Sequence, residues 1–367
     1  MNRLIIIEYF NEDIKHDNLK GLKCGFIAYD YKNEIEKLTS KNTNKFTFPN
    51  KFFFEPKYFL VADKQLIAAD VPISDLNKKF DLLFDDCNTE KIILKSKETK
   101  AQYIDKIKRI KKHLQRGDVY EINYCHEFFV ENLTINPYAL YLKLKQKSPA
   151  PFACFVKYFD NYLIGASPER FLKKTGNKLI AQPIKGTIKR GADAQTDEIL
   201  KNHLKNDPKE RSENTMIVDL VRNDLSKIAQ RNSVKVDELC EIYSFKQVHQ
   251  MISTISCNLK KDVSFDEIIR ATFPMGSMTG APKIKAMELI DELEETKRGM
   301  YSGTVGYILP NGDFDFNVVI RSILYNAQKK YLSFMVGGAI TIKSDPEKEY
   351  EETLLKAKAI FEVLNEL

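Results

Sequence analysis

Residues 303–341, GTVGYILPNGDFDFNVVIRSILYNAQKKYLSFMVGGAIT, carry the clearest β signal in this chain of 367 residues. Pro310-Asn311-Gly312 separates two apolar runs, and Asn-Gly is the strongest short hairpin turn. A third run, residues 331–341, completes a predicted antiparallel meander. The stretch therefore favours antiparallel sheets over a doubly wound parallel sheet.

Helical and extended patterns alternate along the rest of the chain. Apolar residues at helical spacing over 103–114 predict a helix, and residues 152–188 predict successive antiparallel strands. Residues 194–229 predict helices that Asp207-Pro208 divides in two, and a last helix is predicted over 346–364. Antiparallel strand groups with helices between them predict an α+β fold. We expect the sheets to pack together with the helices outside, in a single large domain.

The composition excludes several classes of protein. The net charge is +6, from 57 basic and 51 acidic residues. The lysines of residues 91–112 lie around an amphipathic helix, where a solvated polar face is the usual explanation, so we predict no nucleic-acid binding. No apolar run reaches transmembrane length, and no membrane partner is expected. Six cysteines without a C-x-x-C pair and an apolar stretch before Glu8 that is too short for a signal peptide predict a cytoplasmic protein.

Two pairs of glutamates have the spacing of metal ligands on helices. Glu210 and Glu213 are three residues apart at a helix start, and Glu349 and Glu352 repeat this spacing on the last helix, one turn before Lys356. Carboxylates from two helices can hold a hard cation such as Mg²⁺. The alternative for either pair alone is a solvated face stabilised by the helix dipole.

Small residues and isolated polar residues mark four further positions. Thr279-Gly280-Ala281 precedes a helix and can form a backbone anion cradle, or simply a helix entry. Gly338-Ala339 can form a second cradle or a tight strand end. Arg321, expected within an apolar strand, needs either a structural carboxylate or a substrate carboxylate. His249 is either a core histidine with satisfied hydrogen bonds or a catalytic one.

Several ordered motifs extend this pattern over most of the chain. They are Gly117-Asp118-Val119-Tyr120, Ser167-Pro168-Glu169-Arg170-Phe171, Pro183-Ile184-Lys185-Gly186-Thr187, Asp207-Pro208-Lys209-Glu210-Arg211-Ser212-Glu213-Asn214, Tyr301-Ser302-Gly303-Thr304 and Asp345-Pro346-Glu347-Lys348-Glu349. With these motifs, residues 100–367 resemble the chorismate-utilising enzymes. The resemblance implies a chorismate-binding catalytic domain over 96–367 and a short N-terminal region, 1–95, that packs on the same fold.

Two positions discriminate within that family. Anthranilate synthases usually carry alanine at the position of Lys185, whereas aminodeoxychorismate synthases usually carry lysine. Isochorismate and salicylate synthases place a water-activating lysine at the position of Glu121. The combination here resembles the aminodeoxychorismate synthase component I branch. The chain departs from the family pattern at Glu121, where amine-transferring members commonly have glutamine, and at Ala339, where glycine is usual.

The resemblance also implies roles for the candidate residues. Lys185 would attack C2 of chorismate as a neutral amine, for which desolvation or a nearby cation is required; the alternative is an ordinary ion pair with a neighbouring carboxylate. Glu169 would protonate the departing C4 hydroxyl, with His249 assisting. Mg²⁺ would be held by Glu213 and Glu352, with Glu210 and Glu349 orienting its waters. The remaining substrate contacts would come from Arg321, Lys356, Thr279, Gly280, Ala281, Gly338, Ala339 and Tyr301.

The same resemblance implies partners. No cysteine lies in the Gly-x-Cys-x-Gly turn of a glutaminase, so a separate glutamine amidotransferase subunit is expected to supply ammonia. An aminodeoxychorismate lyase would convert the product to p-aminobenzoate for folate synthesis. Three alternatives stay open: anthranilate synthase component I, isochorismate or salicylate synthase, and a non-catalytic chorismate-binding paralogue.

Overall fold

Two antiparallel sheets form the framework of the molecule. The computed structural model describes residues 1–10, 19–76, 92–246 and 248–367. Within these ranges ten strands form one sheet and nine form the other, and all their pairings are antiparallel. A shared apolar cluster joins the sheets, with Ile5 and Ile7 from the first and Cys24 and Phe26 from the second. The predicted α+β class is confirmed.

The strands of the first sheet come from all parts of the chain. They are β1 (Arg3–Ile7), β4 (Tyr58–Ala62), β5 (Gln65–Ala69), β6 (Lys95–Ser96), β7 (Glu121–Val130), β8 (Phe152–Tyr158), β9 (Asn161–Ser167), β15 (Gly280–Ala281), β18 (Ser322–Asn326) and β19 (Tyr331–Ile340). Their order is β15-β7-β19-β18-β9-β8-β1-β5-β4, with β6 paired to β7.

The second sheet is built in the same way from distant segments. Its strands are β2 (Lys23–Ile27), β3 (Lys51–Phe54), β10 (Arg170–Thr175), β11 (Lys178–Gln182), β12 (Ile184–Lys189), β13 (Lys235–Ser244), β14 (Val248–Asn258), β16 (Thr304–Ile308) and β17 (Phe314–Asn317). Their order is β12-β14-β11-β10-β17-β16-β2-β3, with β13 paired to β14. β7 and β12, which carry candidate site residues, lie at or next to the sheet edges.

Eight α-helices in the described ranges connect these strands. They are α1 (Lys32–Ile35), α2 (Lys100–Arg116), α3 (Pro137–Lys147), α4 (Ala194–Asn206), α5 (Pro208–Ser226), α6 (Phe265–Thr272), α7 (Lys283–Leu293) and α8 (Pro346–Asn365). Short 3₁₀ turns cover Tyr29–Tyr31, Ile73–Asp75 and Gly276–Met278. No helix in the described part of the chain is long and apolar enough to span a membrane.

The helix predictions from periodicity and caps are confirmed. The apolar residues of α2 are buried, and the helix ends at Gly117, whose left-handed φ of 81° suits a glycine. α4 and α5 meet at Asp207, which caps α5 by accepting hydrogen bonds from the N–H groups of Lys209 and Glu210. The first residue of a helix has no use for a backbone N–H donor, so Pro208 fits at the start of α5. This explains the helix break that the sequence predicts at Asp207-Pro208.

The predicted meander over residues 303–341 is wrong in one respect. β16 and β17 do form the predicted hairpin, but they belong to the second sheet, whereas β18 and β19 belong to the first. The chain crosses between the sheets over residues 318–321. In this segment Val318 and Val319 are buried outside any strand, and Arg321 adopts a φ of 48°. Arg321 therefore lies in a crossing segment and not in a strand.

The N-terminal segment contributes strands to both sheets. β1 lies between β5 and β8, and β2 pairs with β16. The boundary proposed after residue 95 stays a prediction. The five cysteines that the structure describes are buried and unpaired, while Cys87 and Lys91 lie outside the described residues.

Candidate active site

Lys185 lies between the two sheets, where it meets a carboxylate from the opposite sheet. Its Nζ lies 2.9 Å from Oε1 of Glu121, the first residue of β7. The two residues are 9% and 1% exposed. Burial alone would lower the pKa of Lys185, but the charges of Glu121 and Glu213 raise it above its ordinary value. Lys185 is therefore held as an ammonium ion, and the ion pair considered from the sequence is present.

Glu169 lies in the short link between β9 and β10 and is fully buried. Its Oε1 accepts a hydrogen bond of 2.7 Å from Oγ of Ser277, and its carbonyl accepts one from the N–H of Val318. Burial raises the pKa of Glu169 from 4.5 to about 7, against the opposing effects of Ser277 and Lys185. A carboxyl group with this pKa can hold a proton near neutrality, which is the property that a proton donor requires, and the donor role of Glu169 stays a prediction.

The four predicted metal carboxylates are gathered by α5 and α8. Lys209 of α5 joins the two helices, because its Nζ lies 3.2 Å from Oε1 of Glu349 and 3.9 Å from Oε1 of Glu213. Burial raises the pKa of Glu210 and raises that of Glu213 to about 7. Lys356 lowers the pKa of Glu352, whose Oε1 lies 2.8 Å from the Lys356 ammonium.

Lys209 forms ion pairs with Glu213 and Glu349, and Lys356 forms one with Glu352. Across the ranges that the structure describes, no group of three or more His, Cys, Asp or Glu side chains is close enough to hold a metal ion. The donor set nevertheless fits a hard cation, since all four side chains offer oxygen. Oε1 of Glu213 is buried without a hydrogen bond from any described residue. The magnesium site stays a prediction.

The expected anion cradle at Thr279-Gly280-Ala281 is also a structural element. Gly280 and Ala281 form β15, which pairs with Ile122 and Glu121 of β7. A Cβ on Gly280 would lie 2.2 Å from the carbonyl oxygen of Glu121, so glycine is required here by the close approach of β7. Helix α7 begins directly after this strand, at the position that the sequence indicates.

Gly338 and Lys356 lie together at the end of β19. A Cβ on Gly338 would be 3.5 Å from Nζ of Lys356 and 3.6 Å from Oε2 of Glu349. Lys356 also donates a hydrogen bond to the carbonyl of Gly337. Ala339 is half-buried next to them and pairs with Asn123 of β7. The second predicted cradle therefore adjoins the acidic cluster.

Arg321 is largely buried at the crossing between the sheets. Among the described residues no hydrogen bond or ion pair joins its guanidinium to a carboxylate. Burial lowers its pKa, and the negative charge of Glu169 opposes this effect. Of the two partners considered from the sequence, the structural carboxylate is absent from the described part of the chain, so Arg321 can meet an anionic ligand near Glu169.

In the described part of the chain, the side chains of His249 and Tyr301 contact residues other than Lys185. The ring nitrogens of His249 lie 2.8 Å from Oγ of Ser244 and 2.9 Å from Oδ1 of Asp197. The hydroxyl of Tyr301 lies 3.8 Å from Sγ of Cys125. Both roles stay predictions, and the structure gives His249 the contacts of a histidine with satisfied hydrogen bonds.

A family model described as chorismate binding enzyme matches residues 6–362. The chain belongs to the family of chorismate binding enzymes. Among its relatives, the aminodeoxychorismate synthase of Arabidopsis thaliana chloroplasts is 43% identical over 71% of this chain. Aminodeoxychorismate synthase component 1 of Bacillus subtilis is 32% identical over 94% of this chain and 77% of that protein. The chain spans only 29% of the length of the Arabidopsis relative.

A solved structure has a similar fold. The crystal structure of anthranilate synthase component I from Streptococcus pneumoniae TIGR4 superposes with a TM-score of 0.79 at 25% sequence identity. The match covers 98% of this chain and 90% of that one. The likeness in fold therefore extends over nearly the whole of this chain.

Three residues of this chorismate binding enzyme were not assigned roles from the sequence. Ser277 holds Glu169, Lys209 joins the acidic helices, and Gln250 has a buried Nε2 without a hydrogen-bond partner among the described residues. Ser277 follows Gly276 just before the predicted cradle, and Lys209 lies inside the Glu210 motif. Their neighbourhood was visible in the sequence, but their contacts across the fold were not.

Proposed function

We propose that this protein is the chorismate-aminating component of an aminodeoxychorismate synthase, which converts chorismate and ammonia to 4-amino-4-deoxychorismate. The observation that carries the proposal is the buried Lys185 held between the sheets together with a proton donor, Glu169, whose pKa is about 7. Relatives named aminodeoxychorismate synthase support this choice within the family.

Glu169 supplies the acid in the proposed reaction. The C4 hydroxyl of chorismate is a poor leaving group, and protonation by Glu169 lets it depart as water. The hydrogen bond from Ser277 fixes the carboxyl group, and burial keeps its proton available at neutral pH. Glu169 is then left as a carboxylate beside the positive charge of Arg321.

Lys185 supplies the nucleophile. Once Nζ has lost a proton, its lone pair forms a bond to C2. The two conjugated ring double bonds shift toward C4, and the C4–O bond breaks as the hydroxyl takes the proton of Glu169. Ammonia then attacks C4, the two conjugated double bonds shift back, and the C2–N bond breaks to release the lysine amine. Two successive substitutions across the conjugated diene thus place the nitrogen at C4, and the enzyme is restored when the C4 ammonium group returns a proton to Glu169.

Mg²⁺ is the proposed cofactor. Glu213 and Glu352 would hold it, with Glu210 and Glu349 orienting its waters, and the ion would act as a Lewis acid toward the ring carboxylate. Arg321, Lys356 and the backbone N–H groups near Gly280 and Gly338 would neutralise the remaining negative charge of the substrate.

The proposal includes two protein partners. The relatives from Bacillus subtilis and Escherichia coli are named component 1, which supports a separate subunit that supplies ammonia from glutamine. An aminodeoxychorismate lyase would act on the product to give p-aminobenzoate. The buried, unpaired thiols of the described cysteines support a reducing compartment such as the cytoplasm.

Product analysis by mass spectrometry tests the proposed function. The purified protein is incubated with chorismate, Mg²⁺ and excess ammonium salt at alkaline pH. We expect an aminated product that keeps its enolpyruvyl group and yields p-aminobenzoate when a lyase is added. Lys185→Ala should lose at least about a hundredfold of this activity, as for removal of a group that forms a covalent intermediate. Lys189→Ala, at the exposed end of the same strand, should retain it.

Other products would contradict the proposal in distinct ways. Anthranilate is the product expected of the second candidate, which the likeness to an anthranilate synthase component I supports. A hydroxylated product formed without ammonia would exclude amination altogether. Unchanged turnover by Lys185→Ala would show that Lys185 is only an ion-pair partner.

A further inference from the structure

We propose that Glu121 is the base that accepts the proton of Lys185 and so generates the amine nucleophile. This inference rests on the proposed function and adds a catalytic residue to it. Oε1 of Glu121 lies 2.9 Å from Nζ of Lys185, which is hydrogen-bonding distance and the distance required for direct proton transfer. Its second oxygen, Oε2, is buried and accepts no hydrogen bond from any residue that the structure describes.

The backbone fixes Glu121 against Lys185. β15 pairs with β7 so that Ala281 lies opposite Glu121, and the N–H of Tyr120 donates to the carbonyl of Ala281 at 2.7 Å. A Cβ at position 280 would lie 2.2 Å from the carbonyl oxygen of Glu121, so the absence of a side chain on Gly280 is what lets the two strands pair this closely. The Glu121 carboxylate is therefore held at hydrogen-bonding distance from the Lys185 amine, where the two sheets meet.

The charges around Lys185 explain why a base is required. Burial lowers the pKa of its amine, but the negative charges of Glu121, Glu213 and Glu169 outweigh this effect and raise the pKa. An ammonium ion has no lone pair, so it cannot attack carbon. The pair is almost completely buried, and solvent cannot readily receive the proton at that point. Glu169 must deliver a proton in the same reaction, and Glu121 is the carboxylate that is hydrogen-bonded to the amine.

The proton balance of the step is complete. One proton moves from Nζ of Lys185 to the carboxylate of Glu121, and the freed lone pair forms the bond to C2 of chorismate. The leaving hydroxyl takes its proton from Glu169 and departs as water. When ammonia has attacked C4 and the C2–N bond has broken, the amine takes its proton back from Glu121, and the new C4 ammonium group gives a proton to Glu169. No oxidant, reductant or further reactant is involved.

The test measures how fast Lys185 forms its covalent adduct when ammonia is absent. Intact-protein mass spectrometry follows a mass gain of one chorismate less one water, with chorismate and Mg²⁺ present at pH 7. Glu121→Gln keeps the size and the hydrogen bond of the side chain but cannot take a proton. We expect adduct formation to slow by about a hundredfold, the size of a general-base effect. Glu121→Asp should recover part of the rate.

A purely electrostatic role for Glu121 predicts the opposite result. Removing its charge would lower the pKa of Lys185 and enlarge the neutral fraction, so the variant would react at least as fast as the wild type. The pH dependence gives a second readout. In Glu121→Gln the rate should rise steeply with pH because free amine must form by loss of a proton to solvent, whereas the wild type should be flatter.

A matched control variant and the wild type distinguish failure of the proposed function from failure of the proposed role of Glu121. Glu127→Gln removes another buried carboxylate from β7, about 20 Å along the strand from Glu121, and should leave the adduct rate unchanged. Absence of both adduct and aminated product in the wild type would overturn the proposed function. Normal wild-type turnover with an equally fast Glu121→Gln variant, or with equal pH profiles, would overturn only the role of Glu121.

Discussion

At the scale of single residues, the functional groups of this site depend on burial. Glu169 is protonated near neutrality because its carboxyl lies away from water, and Ser277 donates the hydrogen bond that fixes it. Lys185 remains charged in an equally buried place because carboxylates surround it. Burial disfavours the charged form of both groups: for Glu169 it outweighs the neighbouring charges, whereas for Lys185 the surrounding carboxylates outweigh burial.

The raised pKa of Glu169 predicts a pH-dependent stability. Such a group stabilises the folded state fully below its unfolded pKa of 4.5, and this contribution is lost as the pH rises through the folded pKa of about 7. Glutamine stays neutral at all pH values. From pH 5 to pH 8, Glu169→Gln should therefore gain about 2 to 3 kcal/mol in unfolding free energy relative to the wild type.

Urea denaturation without Mg²⁺ at both pH values measures this gain. Titration of Glu213 is common to both proteins and cancels in the comparison. Replacement of the exposed Glu288 of α7 by glutamine should give no pH-dependent difference from the wild type. A constant difference between Glu169→Gln and the wild type at both pH values would show that Glu169 is ionised in the folded protein.

The sequence predicted these residues more readily than their partners. Lys185 and Glu169 were found because their motifs resemble those of a known family, and the local chemistry agreed with the proposed roles. The partner of Lys185 could not be predicted, because Glu121 is 64 residues away and belongs to the other sheet. The periodicity of a strand shows which side chains share a face, but not which strand they face.

At the scale of elements, local signals predicted the helices well and the sheets only in part. Caps and prolines determine where α5 and α8 begin, and these signals are contained in a few consecutive residues. The hairpin of β16 and β17 was also predictable from its Asn-Gly turn. The exchange of sheets over residues 318–321 was not, because apolar residues in a strand and in a buried crossing look alike.

The cap of α5 provides a test of how this helix supports the site. Asp207 accepts hydrogen bonds from the first turn, which also presents Glu210 and Glu213. Asp207→Ala should cost about 1 kcal/mol in unfolding free energy. If the frayed turn must be reordered before a metal binds, Mg²⁺ affinity should fall by about fivefold, which corresponds to the same free energy. Urea denaturation and calorimetric titration with Mg²⁺ measure the two effects.

Asp193 offers a matched comparison because it caps α4 in the same way, by accepting from the N–H of Thr196. Asp193→Ala should lose a similar stability with no change in Mg²⁺ affinity, since α4 carries none of the proposed ligands. Equal losses of affinity in the two variants would mean that general destabilisation, rather than the first turn of α5, accounts for the change.

At the scale of the whole molecule, the site exists only where separate parts of the fold meet. The first sheet brings Glu121, the second brings Lys185, and α5 and α8 bring the acidic cluster. The α+β class could be predicted from patterns along the chain. The convergence of these parts could not, because it depends on the order of strands in two sheets that join residues from both halves of the chain.

The crowded carboxylates predict that Mg²⁺ stabilises the entire fold. Glu213, with a pKa of about 7 in the metal-free protein, is mainly protonated at pH 5 and mainly ionised at pH 8. A cation that binds only the folded protein should therefore stabilise it more at pH 8 than at pH 5. At a free Mg²⁺ concentration a hundredfold above its dissociation constant, the gain should be about 2.7 kcal/mol.

Urea denaturation with and without MgCl₂, at both pH values, measures this gain, and NaCl at equal ionic strength controls for screening of the four carboxylates. Glu213→Gln should lose most of the stabilisation at pH 8, since it replaces a charged carboxylate with a neutral amide of nearly the same size. The two lysines that now neutralise the cluster compete with the metal, so a real site must overcome them. If MgCl₂ and NaCl have equal effects on the wild type, Lys209 and Lys356 are the resident cations of the cluster and the magnesium proposal fails.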